Sequence, residues 1–500
     1  MGSSKKIAKG VAWTTIANIV NGVYGFVSVP ILITFFGKSN YGLIGLAMSI
    51  NIYLRLMDLG FSSTNVRYFS DWLTKKDYHN VKCLFQTSLF FYGSLGLINA
   101  ITLLVLSFFS NSIFNVTYEQ GVILKHLFYI LSVSAFVSWY TSCFDQLVMA
   151  HEYVGWTKKM TLLPKVVQIA ILIFTVTIGL NIEWYYALTT FSMFIIIPIM
   201  FWKIKSLCPY ISFKPSFDTK IFATIMPYSL NIFSFGIFQF SIINLRPIFL
   251  GIESSPDSIT DYRVLDGIFK IVTLLGGTFM GVFLPSATRV VTSHDEVSID
   301  KVVYQGTKFI SIAICFCCFG MMSVAPEILT AYVGEDYLYL TIWLDLLLLS
   351  TLRSHNQAIS SVIFAGSHVK TMSYITYAMF ISASISLLVC WYLIPVYDVG
   401  GTVISFLLFS LFDLLFFYLY YWPKFMKIDS WRVFKSSFAP YLCIGIILCI
   451  ALRSISLPNC NVWFSLLLKG GVFLTFYAFI SNCALNTDDK ELILKLFRKK

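Results

Sequence analysis

Apolar residues run along this chain in long blocks, broken at short intervals by clusters of charge, Gly, Pro and Asn. A helix that crosses ~30 Å of hydrocarbon needs about 20 mostly apolar residues. Fourteen stretches reach that length: residues 11–36, 41–70, 83–110, 123–150, 160–181, 184–203, 221–250, 261–290, 304–326, 338–365, 372–394, 399–422, 437–456 and 462–482. Several exceed the minimum, as tilted or kinked helices do. Pro30, Pro164, Pro198, Pro227, Pro247 and Pro285 fall within or near the ends of these spans. A helical bundle tolerates them because neighbouring helices satisfy the freed carbonyls. The pattern predicts an all-α membrane protein with about 14 transmembrane helices.

Composition supports that class and narrows the function. Of the 500 residues only 12% are charged and 57% are hydrophobic, whereas soluble domains carry about 25% charge. No polar stretch is long enough to fold as a separate catalytic domain. No Gly-rich phosphate loop is present, so the chain is not expected to hydrolyse a nucleotide. The external loops are short, the longest lying around Asn111–Val122 and Glu253–Thr260. A glycan polymerase or ligase would carry a longer one, and a membrane glycosyltransferase an acidic metal motif beside a soluble domain. The reading is therefore not an enzyme. The 11 cysteines lie mostly inside apolar blocks, and no Cys-x-x-Cys pair has a His or Cys cluster to complete a metal site. The first apolar block is too long for the core of a cleaved leader and reads as the first span.

Loop charge fixes an orientation. With an even number of spans both termini share one side, and 27 of the 36 Lys and Arg residues fall there, from Lys5 and Lys6 through Lys75 and Lys76 to Lys499 and Lys500. The opposite side holds Lys38, Lys125, Arg453 and Lys469. Positive residues stay cytoplasmic, so both termini are expected there, in a bacterial inner (cell) membrane once the family resemblance below is taken into account. The net charge of +11 follows from orientation and implies no nucleic acid partner. The tail Asp488–Lys500 reads either as a short amphipathic helix on anionic headgroups or as a solvated charged segment.

A weak internal repeat suggests two related halves. Tyr41 aligns with Tyr262, Lys82-x-x-Phe85-Gln86 with Lys301-x-x-Tyr304-Gln305, and Ala150-x-x-x-Val154 with Ala365-x-x-x-Val369. Their order predicts pseudo-symmetric six-helix bundles over residues 1–210 and 211–425, with two further helices and a cytoplasmic tail over 426–500.

Five basic residues belong to no loop: Arg55, Arg246, Arg263, Lys270 and Arg353. A charge at mid-bilayer costs at least ~2.5–3.5 kcal/mol on insertion scales, so each needs a partner, water or a task. The plainer reading makes Arg55–Asp58 and Arg263–Asp266 self-neutralising pairs on shared helical faces, which leaves Lys270, Arg246 and Arg353 without an explanation. The functional reading places an excess of positive charge around a water-filled cavity for an anionic guest. Phosphate or diphosphate suits it, since Arg forks match their oxygens.

Four short motifs carry a family resemblance. Lys9-Gly10-x-x-Trp13 opens the first span, Asn40-Tyr41-Gly42-Leu43 begins the second, and Asp58-Leu59-Gly60-Phe61 leads to Val66-Arg67-Tyr68. The chain resembles the bacterial polysaccharide flippases, which move lipid-linked oligosaccharides for O-antigen, capsule or related glycans. That family sits in the multidrug/oligosaccharidyl-lipid/polysaccharide exporter superfamily. The resemblance implies alternating access of two bundles around a cationic cavity. It also implies membrane lipid and undecaprenyl-diphosphate-linked oligosaccharide as partners, with glycan polymerase machinery downstream. Arg55, Arg246, Arg263, Lys270 and Arg353 are then the substrate-binding candidates. The first span departs from the family in having no basic residue inside the membrane. No cofactor is implied, and a proton or sodium gradient would drive the step through Asp58, Asp266, Asp345 or Asp413. The alternative from the same superfamily is an ion-coupled multidrug/cation antiporter, which would line its cavity with carboxylates.

Overall fold

The computed structural model describes residues 2–273, 302–366, 369–455, 460–487 and 489–490. These are helical throughout, with short turns between, and they divide into two compact units, Met1–Thr260 and Asp261–Lys500. Ten helices among the described residues are long and apolar enough to cross a membrane, or twelve when each of two bent pairs counts as one span. Two of the fourteen expected spans stand outside that number. The stretch 338–365 is helical but interrupted by 3-10 turns at Glu335–Leu340 and Ser350–Asn356. Only residues 261–273 of the stretch 261–290 fall among the described ones, where they are helical.

Helix starts follow the local chemistry of the chain. Asp77 accepts from the Asn80 amide at 3.1 Å, Asn181 from the Trp184 amide at 3.0 Å, and Asn461 from the Trp463 amide at 2.9 Å. Thr117 and Gln120 form a reciprocal capping box. Each such cap satisfies one of the amides that a first helical turn leaves open, worth about 1 kcal/mol.

Burial runs opposite to that of a water-soluble bundle. On the helix Tyr78–Phe108 the face Ile98, Ile101, Val105 and Phe108 is exposed, while Tyr92, Gly96, Asn99, Leu103 and Ser107 are buried. Polar and small residues turn inward because lipid offers them no hydrogen bonds and because small side chains let backbones approach. At Gly96 an added Cβ would lie 3.1 Å from the Phe136 backbone of the neighbouring Tyr118–Tyr140 helix.

In the first unit the second span is broken. Lys38–Asp58 and Phe61–Thr74 meet at 45°. The break is made by Leu59 at φ 52° and Gly60 at φ 76°, both left-handed. The seventh span, Thr219–Ser234 followed by Gly236–Glu253, bends by 54° and packs on that break. Ser229 Oγ donates to the Leu59 carbonyl at 2.7 Å, and a Cβ at Gly60 would meet the Ser229 oxygen at 2.7 Å.

In the second unit the C-terminal hairpin, Ser430–Arg453 and Val462–Ala484, is fastened to the preceding helices by charge. Arg453 pairs with Asp345, Lys469 with Glu327 at 2.6 Å, and Lys308 with Asp489 of the tail at 2.6 Å. This corrects the assignment of Lys469 to an external loop: it lies inside Val462–Ala484 and is buried. Its charge tolerates that position because Glu327, only partly exposed, faces it and Ser465 donates to the same carboxylate oxygen at 3.2 Å.

Candidate functional site

Breaking a membrane helix exposes backbone carbonyls and re-aims side chains at the level of the break. Arg55–Asp58 form a single 3-10 turn there. Asp58 Oδ1 accepts from Ser62 Oγ at 2.9 Å and from Tyr92 Oη at 2.8 Å, and its Oδ2 accepts from the Ser62 amide at 3.2 Å. Gln146 Nε2 donates onward to Tyr92 Oη at 2.9 Å and Ser62 Oγ at 3.1 Å. Asn65 Nδ2 then donates to Gln146 Oε1 at 2.8 Å and Ser88 Oγ at 2.9 Å. Neighbouring helices thus share one polar network, buried at Tyr92, Gln146, Asn65 and Ser88 and half-buried at Ser62 and Asp58, its carboxylate. Leaving any member unpaired costs about 1–3 kcal/mol, so the network fixes the break in one geometry.

Arg55 stands beside this network without joining it. The residue is exposed on the protein surface. The expected Arg55–Asp58 ion pair does not form, because the Asp58 oxygens already face Ser62 and Tyr92. Arg246 lies in the same unit, in the seventh span beyond its bend, at the start of Arg246–Glu253. It is only 1% exposed, and its Nε donates to the Ile242 carbonyl at 2.9 Å.

The second unit holds the remaining candidates, and most of them are in charge pairs. Lys270 reaches Asp266 at 2.5 Å, so Asp266 takes its i+4 neighbour as partner and not Arg263. Arg353 lies 3.9 Å from Asp413 and over the rings of Phe409 and Phe406, at 5.2 Å and 5.7 Å. Asp345 takes Arg453. Two residues left without an explanation in the sequence, Lys270 and Arg353, therefore each have a carboxylate. Arg263 is half-buried. Tyr339 Oη donates to Asp261 Oδ2 at 2.5 Å.

Sequence reasoning missed Tyr92, Ser62 and Gln146, and the acids Glu327 and Asp489. Gln146 had a readable signal, as an amide inside an apolar block; Tyr92 had none in a chain with 28 Tyr. A cavity of about 380 Å³ in the first unit, lined by Cys83, Gln86, Asp218 and Lys220 among others, includes none of the predicted site residues.

Comparison with known proteins places this geometry. A family model described as "Polysaccharide biosynthesis protein" matches residues 31–341. None of the curated proteins matches the chain. Among solved structures, the lipid II flippase MurJ in an inward closed conformation is similar, with TM-score 0.71 and 16% identity over 97% of this chain and 100% of that one. An inward-facing multidrug resistance MATE family transporter is similar with TM-score 0.60 and 12% identity, covering 90% of this chain and all of that one. The MATE multidrug transporter DinF-BH is similar at TM-score 0.58 and 12% identity, over 83% and 95% of the two chains. At such identities the likeness is one of fold.

Proposed function

The chain belongs to the polysaccharide biosynthesis protein family, and from that premise we propose that it flips undecaprenyl-diphosphate-linked oligosaccharide from the cytoplasmic to the outer leaflet by alternating access. The observation that carries this reading is Arg55. It is an exposed guanidinium at a helix break, and the carboxylate three residues away is occupied by neutral donors. A diphosphate leaving water needs cationic forks, and Arg offers two parallel donors to its oxygens. Arg246, set in the seventh span that packs on the same break, is the second candidate. Lys270 and Arg353 would serve only by opening their pairs with Asp266 and Asp413. The cationic face is therefore smaller than the charge count suggested.

The reading includes a bacterial inner membrane, both termini on the cytoplasmic side as the Lys and Arg bias supports, and an O-antigen, capsule or related glycan passed on to polymerising enzymes. A proton or sodium gradient is its energy source. One observation favours the other reading, an ion-coupled multidrug/cation antiporter. Asp58 sits in a polar network on a bent helix, and MATE transporters share the fold.

The test is leaflet crossing of a fluorescent lipid-diphosphate oligosaccharide in proteoliposomes, with efflux of a cationic dye measured alongside. Arg55→Ala is expected to lose on the order of tenfold or more, since a charge-assisted bond is worth about 1.5–3 kcal/mol. Lys270→Ala, whose charge is already spent on Asp266, is expected to lose less. Dye efflux without lipid movement by the wild type transfers the assignment to the antiporter.

A further inference from the structure

Three non-α segments of the second unit converge on one histidine. Ser350–Asn356 is a 3-10 stretch, and Phe417–Met426 and Phe434–Phe438 are wide π turns. Departures from α geometry within membrane helices often mark hinges and functional positions. His355 lies in the first segment, touches the second and stacks on the third. Its Nδ1 is 2.7 Å from the Leu352 carbonyl, its Nε2 is 2.6 Å from Tyr418 Oη, and its ring lies on Phe438 at 4.0 Å and 17°. It is fully buried.

A carbonyl can only accept, so Nδ1 carries the ring hydrogen and Nε2 presents a lone pair to the Tyr418 hydroxyl. Nε2 is then the one atom of the ring that can take a proton. Taking it turns the acceptor into an N–H, and Tyr418 must swing its own hydrogen away. With Nε2 as acceptor the bond belongs to the neutral ring; a charged ring could keep Tyr418 only by donating to its oxygen. The His355 segment is also joined to the helix Val399–Phe416, which leads into the second segment, by the 3.9 Å pair of Arg353 and Asp413, long for an ion pair.

We propose that His355 is a proton-binding site of the transport cycle, neutral in this conformation and charged in a second one in which Nε2 is released from Tyr418. A ligand that prefers one of two states shifts the balance by its differential affinity. Acidification therefore draws the protein away from the present arrangement of the three segments. Charged and titratable groups on the elements around the ring include Arg353 on its own segment, Asp345 on Thr341–Leu349, held by Arg453, then Asp413, Tyr418, Tyr420, Tyr421 and Lys424 on Val399–Met426, and Lys435 and Tyr441 on the hairpin. On Thr307–Ser323 they are Cys315, Cys317, Cys318 and Lys308, the last held by Asp489.

The proposal rests on reading the chain as a transporter, and its test separates the two. The full-length protein is labelled with ¹⁵N-histidine in lipid nanodiscs, where six histidines make assignment by difference practical. The resonance absent from His355→Gln identifies the ring. At pH 8 it should show the Nδ1–H tautomer and on acidification the imidazolium. Tyr418→Phe keeps the ring but removes the partner of the neutral form, so the transition should move upward by roughly one pH unit and the pH profile of transport should move with it. A ring that stays neutral to pH 4.5 in both proteins overturns the proposal, even if lipid flipping is observed. So does a transport profile indifferent to Tyr418→Phe. Should His355 titrate while neither lipid nor dye is moved, the proton site stands and the substrate assignment fails.

Discussion

Replacing Gly60 with Ala tests whether the break in the second span is held as described, and the structure supplies its own controls. Gly60 has φ 76°, and a Cβ there would meet the Ser229 oxygen at 2.7 Å, the Phe233 amide nitrogen at 3.2 Å and Ile232 Cβ at 3.3 Å. Two costs add. A left-handed conformation costs an L side chain roughly 1–2 kcal/mol, and forcing a methyl against backbone costs about 1–3 kcal/mol more. Gly179 has φ 79° with nothing within 4 Å of its Cβ position, so Gly179→Ala carries the first cost alone. Gly22 lies inside Gly2–Phe36, likewise with nothing within 4 Å, so Gly22→Ala should be neutral or stabilising by ~0.5–1 kcal/mol. Thermal unfolding of the purified protein, followed by tryptophan fluorescence, reads all three. Chains of about 150–250 residues move about 2–4 °C in Tm per kcal/mol and a longer chain moves less; the order should be Gly60→Ala lowest, Gly179→Ala between, and Gly22→Ala at or above wild type. A Gly60→Ala protein no less stable than Gly179→Ala refutes the close packing of the seventh span on the break.

Other outcomes follow from the polar network and the buried pairs. Gln146→Leu leaves Tyr92 and Asn65 each short of a partner and should lower Tm by several degrees, at about 1–3 kcal/mol per orphaned group. Tyr92→Phe, which removes one of the three donors to Asp58, should cost less; equal Tm values for both variants would show that the network is not formed. Lys469→Met strands the Glu327 carboxylate and is expected to destabilise by roughly 3–5 kcal/mol, whereas Glu327→Gln with Lys469→Met should recover most of the loss. Additive Tm shifts in that double-mutant cycle would mean the pair contributes nothing.

The spans were legible because their signal is local. Twenty apolar residues in a row admit few structures, and caps such as Asp77, Thr117 and Asn181 sit where polar residues interrupt the blocks. The break at Leu59–Gly60 was not legible as a break. Nothing in Asp58-Leu59-Gly60-Phe61 requires a leucine to adopt a left-handed conformation, and what holds it is Ser229, far away in the chain. Charge pairing divides in the same way. The one-face spacing of Asp266 and Lys270 was visible, although which base Asp266 would take was not. Arg353–Asp413, Lys469–Glu327 and Lys308–Asp489 join residues that only the folded bundle brings together. Arg453 and Lys469 looked like loop residues because they lie near span ends, and a sequence does not record which carboxylate waits opposite.

The charge pairs that fasten the C-terminal hairpin bear on how the chain is made. Synthesis delivers Lys308, Glu327 and Asp345 to the membrane well before Arg453, Lys469 and Asp489 leave the ribosome. Until then the earlier three are charges without counter-charges, each costing a few kcal/mol in lipid. The nascent protein must shelter them in water, in headgroups or against the insertion machinery. A chain terminated before the hairpin would leave all three without these partners. The last two helices and the tail are thus what neutralises charges laid down much earlier in the chain.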